Sequence, residues 1–149
     1  MLKILLVEDY EEKAKNIKIF LNTEFPFMDV EWRTSYYSAQ EEIYDNYEEY
    51  ALILLDMSMS TYDLTADASG GQPEPSAGQY ILEGMFLRNI PTPVIVVTMY
   101  NVFGRKELSA FDEELKSKYP QNYKSYVFYS SQKSDWKEHL KRQIKTILL

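Results

Sequence analysis

The chain has no cysteine and only one histidine, His139, among its 149 residues. Without cysteine there is no disulfide, no thiolate metal site and no thiol nucleophile, a composition that fits the cytoplasm. One histidine leaves little basis for a His-rich metal centre or a His-dependent triad, and His139 reads as an ordinary polar residue of the last helix. No apolar run approaches the roughly 18 residues that cross a bilayer, and the N-terminus lacks the apolar core of a signal peptide, so no membrane partner is expected. Positive charge is also in short supply. Lys and Arg number 16 against 23 Asp and Glu, a net charge of −7. That is the wrong sign for a nucleic-acid surface, which needs clustered Lys and Arg. The same acidity has a plain role in solubility. What remains is 45% apolar and 26% charged residues, the balance of one globular domain large enough to bury a core.

Strand-like and helix-like patterns alternate along the chain. Leu2–Val7 is a first strand, and Ala14, Ile17 and Leu21 then recur at helical spacing. Val30 and Trp32 mark a short second strand, and Ser38 with Glu41 fits a capping box opening a helix to about Glu49. The run Leu52–Leu55 is apolar throughout, as for a strand covered on both faces. Residues 60–77, with Gly70-Gly71 and Pro73-Glu74-Pro75, form an inserted loop. A helix follows from Gly78 to about Arg88, and Pro91 and Pro93 bracket the entry to the strand ending at Thr98. The region 99–124 is extended, with a helix over Gly104 to Lys118. Ser125 to Ser130 is a fifth strand, and Trp136, Leu140, Ile144 and Ile147 stripe a closing helix. The alternation predicts a single α/β domain over 1–149, a flavodoxin-like, doubly wound, five-stranded parallel sheet with helices on both faces. Right-handed crossovers and the strand order 2-1-3-4-5 place strands 1 and 3 side by side.

The strand ends carry the chemistry. The first run leads into Glu8-Asp9, the third into Asp56, and the fourth into Thr98. In an open parallel sheet the carboxyl ends of the strands share one edge, where ligands bind. Crowded carboxylates repel one another unless a cation intervenes, and a hard ion such as Mg2+ prefers oxygen ligands and needs neither His nor Cys. Asp56 ends the central strand and is the natural nucleophile for an aspartyl-phosphate. Glu8 and Asp9 would hold the metal, and the Thr98 hydroxyl would meet a phosphoryl oxygen. Taken singly, an Asp at a strand end is more often a helix cap or a turn residue.

Together these residues resemble the response-regulator receiver domain of two-component phosphorelays. The resemblance rests on Lys-Ile-Leu-Leu-Val-Glu-Asp (3–9), Leu-Leu-Asp-Met-Ser-Met (54–59) and Pro-Val-Ile-Val-Val-Thr (93–98). It implies that Asp56 accepts a phosphoryl group with Mg2+ held by Glu8, Asp9, Asp56 and the backbone at Ser58. It implies further that Thr98 and a lysine, best matched by Lys133, complete the site. The implied partners are a histidine kinase or phosphotransfer protein and a downstream protein, and the domain is a phosphoacceptor rather than a turnover enzyme.

The departures bear on function. Ser60 stands where the family has Pro, Gly78 comes about a dozen residues late, and Met99 and Tyr100 follow the Thr where Ala or Gly is usual. The family's aromatic switch residue precedes its lysine by three positions, where Ser130 stands here; Tyr129 would fit if the lysine's place were Gln132. Either the loop gains a residue so that Lys133 reaches in, or the cation is missing. The alternative to a phosphorylated receiver is a pseudo-receiver, a phosphorylation-independent interaction module. The 13 Tyr read mostly as packing and surface residues, and those from Tyr36 to Tyr50 could also build a contact face. A haloacid-dehalogenase-type phosphatase is disfavoured, because Ser58 stands where a second Asp is needed.

Overall fold

The computed structural model describes residues 2–60, 73–74, 76–99, 102–103 and 106–149. Five parallel strands form one sheet: β1 (Leu2–Val7), β2 (Met28–Arg33), β3 (Leu52–Leu55), β4 (Val94–Thr98) and β5 (Tyr123–Phe128), in the order β2-β1-β3-β4-β5. The helices between and after them are α1 (Glu11–Glu24), α2 (Tyr36–Asn46), α3 (Ala77–Leu87), α4 (Leu108–Lys118) and α5 (Asp135–Leu148). This is the expected flavodoxin-like arrangement, and the strand order reverses between β1 and β3.

Alternation along each strand divides the core in two. Leu5, Val7, Ile53, Leu55, Val94 and Val96 pack with Ile43, Ile81, Met85 and Leu115 on one face. Ile4, Leu6, Leu54, Ile95 and Val97 pack with Ile17, Leu21, Trp136 and Leu140 on the other. Successive side chains of a strand point to opposite faces, so a strand buried on both reads as an unbroken apolar run. That is why Leu52–Leu55 shows no periodicity and is fully buried.

Local signals set most boundaries, with shifts at the second and fourth helices and at the fifth strand, which runs Tyr123–Phe128 rather than Ser125 to Ser130. The second helix opens one turn earlier than Ser38 suggests. Ser35 is its cap, its hydroxyl accepting from the Ser38 N–H at 3.3 Å while the Ser38 hydroxyl accepts from the Ser35 N–H at 3.3 Å. A Ser at the third helical position replaces the usual Glu or Gln of this box. The helix ends at Asn46, followed by a single 3-10 turn over Tyr47–Glu49. The fourth helix begins at Leu108 rather than Gly104, after an antiparallel pairing of Val102–Phe103 with Lys106–Glu107. Asn89, at φ 55, closes the third helix in the left-handed conformation, and the Ile90 N–H donates to the Met85 carbonyl at 3.0 Å.

Most of the inserted loop 60–77 lies outside the described residues, as do Tyr100 and Gly104. Met59–Ser60 pairs antiparallel with Pro73–Glu74, and helix α3 starts at Ala77. Among the described residues no helix is long and apolar enough to cross a membrane.

Candidate functional site

Sheet register builds the site. Val7 pairs with Leu55, and Leu55 with Val96. The next residues, Glu8, Asp56 and Val97, therefore stand abreast at the carboxyl edge. The Asp56 N–H continues the ladder to the Val7 carbonyl at 3.1 Å, and the Glu8 N–H reaches the Arg33 carbonyl at 3.1 Å. Candidate ligand atoms of Glu8, Asp9 and Asp56 all lie within 4.8 Å of one another. The three acids expected to converge do converge. Glu8 and Asp56 are 1% and 7% exposed, and Asp9 is half-buried at the rim.

Helix α3 fixes the floor beneath Asp56. A Cβ at Gly78 would lie 2.7 Å from the Asp56 carbonyl oxygen and 2.8 Å from the Met57 Cα. The Gly78 N–H donates to the Met57 carbonyl at 2.9 Å. A glycine is required here because backbone meets backbone. Gly78 therefore does follow the Asp56 motif in space, although the inserted loop delays it in sequence.

One oxygen of each inner carboxylate is held by the backbone. The Tyr10 N–H donates to Glu8 Oε2 at 3.1 Å, and the Met57 N–H donates to Asp56 Oδ1 at 2.8 Å. The other two oxygens face Lys13 of helix α1, which lies outside the strand-end motifs. Lys13 Nζ lies 2.6 Å from Glu8 Oε1 and 3.4 Å from Asp56 Oδ2. It also donates to the Val97 carbonyl at 2.7 Å. An ammonium has three donors, and Lys13 Nζ has one oxygen at each of the β1, β3 and β4 ends within 3.4 Å. Lys13 is 0% exposed. Tyr129, itself buried, covers it with ring centroid 5.7 Å from Nζ, and packs on Trp136 at 4.9 Å. The Tyr129 N–H donates to the Thr98 carbonyl at 2.7 Å, and its hydroxyl accepts from Asn16 at 2.9 Å.

Sequence did contain a trace of Lys13. It stands four residues before Ile17 and eight before Leu21, on the buried stripe of α1 with Ala14 and Phe20. A lysine on the apolar stripe of a helix calls for a buried anion. The expected cation, Lys133, is instead exposed and lines a surface groove with Asn16, Glu24 and Lys137. The ammonium at the carboxylates comes from the first helix rather than from the segment after the fifth strand. Thr98 is fully buried at the end of β4, Ser58 is half-buried two residues beyond Asp56, and Met99 is 37% exposed.

Two buried carboxylates share one ammonium, so charge does not balance. Burial, reinforced by the nearby Asp56 charge, pushes the Glu8 carboxyl up to about 8 despite Lys13. Burial raises Asp56 as well, against the pull of Lys13 and the Met57 N–H. Desolvation disfavours the charged form and a neighbouring carboxylate adds to it. A donor set made only of carboxylate oxygens fits a hard divalent cation, which would settle the excess negative charge.

A doubly wound sheet with buried acids at its switch point defines a receiver-type domain. No family model matches the chain. It is 31% identical over 148 residues to the Detocs response regulatory protein DtcB of Enterobacter cloacae (strain JD6301), covering 96% of this chain and 98% of that relative. Its fold is similar to the phosphorylated cyanobacterial phytochrome response regulator RcpA, with TM-score 0.65, 19% identity and coverage of 99% and 94% of the two chains. It is also similar to the response regulator TrrA from Thermotoga maritima in complex with Mg2+-BeF, with TM-score 0.66, 18% identity and coverage of 99% and 100%. The chain belongs to the response-regulator receiver family of two-component signalling.

Proposed function

We propose that the domain accepts a phosphoryl group on Asp56 from a histidine kinase or phosphotransfer protein and passes the signal on by changing a protein-binding surface. The observation that carries this reading is the meeting of Glu8, Asp9 and Asp56 within 4.8 Å at one sheet edge. Asp56 Oδ2, the oxygen not tied to the Met57 N–H, attacks the phosphorus of the donor. The phosphorus–nitrogen bond of a phosphohistidine breaks, the imidazole keeps the electron pair, and an acyl phosphate forms on Asp56. Mg2+ held by Glu8, Asp9, Asp56 and the Ser58 carbonyl would supply positive charge to the transferring oxygens. Lys13 holds one oxygen each of Glu8 and Asp56 before any metal arrives, and Lys133 remains a surface lysine in this reading. The Thr98 hydroxyl at the end of β4 would take a phosphoryl oxygen. Because Tyr129 is bonded to the Thr98 backbone and stacked over Lys13, a change at Thr98 would be felt along β5 and Trp136. A charge added at one point thereby biases a packed two-state element.

Both tryptophans report on the site. Trp32 Nε1 donates to the Glu8 carbonyl at 2.8 Å, and Trp136 packs on Tyr129. Intrinsic fluorescence is therefore expected to change on adding Mg2+ and again on adding beryllofluoride, with both responses lost in Asp56→Asn. A silent wild type would count against the phosphoacceptor reading.

The second reading is a pseudo-receiver, a constitutive interaction module. It is favoured by the Lys13 ammonium already engaging the inward oxygens of Glu8 and Asp56. The same titration separates the two, since a pseudo-receiver responds to neither ligand.

A further inference from the structure

We infer that Lys13 is a tethered cation that competes with a divalent metal ion for Glu8 and Asp56, so that the domain holds its own counter-ion until metal displaces it. The inference rests on the phosphoacceptor reading only in supposing that a metal enters this cup. One oxygen of each inner carboxylate already accepts from a backbone N–H, Glu8 Oε2 from Tyr10 and Asp56 Oδ1 from Met57. The other two, Glu8 Oε1 and Asp56 Oδ2, are the ones that Lys13 Nζ meets at 2.6 and 3.4 Å. A second cation cannot use them without sharing them with the ammonium or moving it off, and like charges at that distance repel.

The surroundings give the ammonium a place to fall back. Its bond to the Val97 carbonyl, 2.7 Å, does not depend on either carboxylate. The face of Tyr129 stands on its other side, with centroid 5.7 Å away. A lysine stem with four rotatable carbons can pivot while keeping the carbonyl and the ring as partners. Lys13 therefore links metal occupancy to the position of Tyr129 and, through its N–H bond, to the Thr98 backbone.

The sign of the effect distinguishes competition from assistance. A lysine that merely helps the site would, on removal, leave metal affinity unchanged or weaken it. A competing lysine would, on removal, tighten it. Mg2+ binding to wild type and to Lys13→Met is to be measured by calorimetry, without any phosphoryl donor, with folding checked by circular dichroism. Competition predicts at least a tenfold lower Kd for the variant, and a larger thermal upshift with Mg2+ than wild type shows. Equal or weaker binding by folded Lys13→Met overturns the competition and leaves the phosphoacceptor reading standing. Binding by neither folded protein overturns both. Should Lys13→Met not fold, the wild type itself decides. The Lys13 Cε and Nζ resonances are expected to shift on Mg2+ saturation, and fixed resonances during a Trp fluorescence titration that does saturate would overturn the proposal.

Discussion

The close approach at Gly78 allows its replacement by Ala to be predicted with a definite sign. A Cβ there lies 2.7 Å from the Asp56 carbonyl oxygen, 2.7 Å from Met57 Sδ and 2.8 Å from Met57 Cα. The thioether can swing away, but the two backbone atoms belong to the segment that carries Asp56. Overpacking of this kind costs about 1–3 kcal/mol. Loss or lengthening of the 2.9 Å bond from the Gly78 N–H to Met57 adds about 1 kcal/mol more. Alanine recovers at most about 1 kcal/mol of helix propensity, and less at the second residue of a helix than in its middle. The expected net loss is about 1–4 kcal/mol, or roughly 2–16 °C in Tm for a domain of this size. Gly84→Ala is the internal control. Its Cβ falls on the hydroxyl of Tyr44, the far end of a side chain that can move, while the site is mid-helix. The propensity gain there offsets most of the cost, leaving a change within about 1 kcal/mol. Thermal and urea unfolding of the two variants gives the comparison. A Gly78→Ala domain as stable as Gly84→Ala would refute the claim that helix α3 is packed backbone-to-backbone against the segment that carries Asp56.

Other expectations follow from the charge imbalance. Asp56→Asn removes one of two buried carboxylates and leaves Glu8 paired with Lys13, so metal-free unfolding should shift towards higher stability by about 1–3 kcal/mol; a loss of stability would contradict the account. Burial raises both Glu8 and Asp56 in the folded state. A raised carboxyl contributes stability below its ordinary pKa of 4.5 that is lost as pH rises through its folded value of about 8. The advantage of Glu8→Gln over wild type in metal-free urea melts should therefore grow between those limits, and a constant difference would show that Glu8 stays ionised throughout. Lys133→Ala, at an exposed position, should change stability by less than about 0.5 kcal/mol and leave Mg2+ binding as it is. A lost Mg2+ response in that variant would return the site cation to Lys133.

The fold was legible because parallel strands buried on both faces write themselves as apolar runs, and three of the runs lead into candidate site residues, Glu8-Asp9, Asp56 and Thr98. The convergence of Glu8, Asp9 and Asp56 followed from the strand order. Lys13 was harder to see, since it sits among Glu11, Glu12 and Lys15 and reads as one more surface charge. Only its helical phase with Ile17 and Leu21 sets it apart from Lys15, which makes an exposed pair with Glu11. Lys133 is the opposite case. Its spacing to Leu140 suits the fifth strand and last helix, but spacing does not fix where a side chain in Ser130–Ser134 points. The capping shift to Ser35 has a similar cause, because Ser35 and Ser38 are both favoured N-cap residues and only backbone geometry, extended at Ser35, chooses between them.

The most direct test of a phosphoryl group on Asp56 is intact mass spectrometry after incubation with acetyl phosphate and Mg2+. The account predicts a single phosphoryl adduct on wild type, labile to hydroxylamine as an acyl phosphate is, and none on Asp56→Asn. An unmodified wild type, or an adduct that persists in Asp56→Asn, would contradict it.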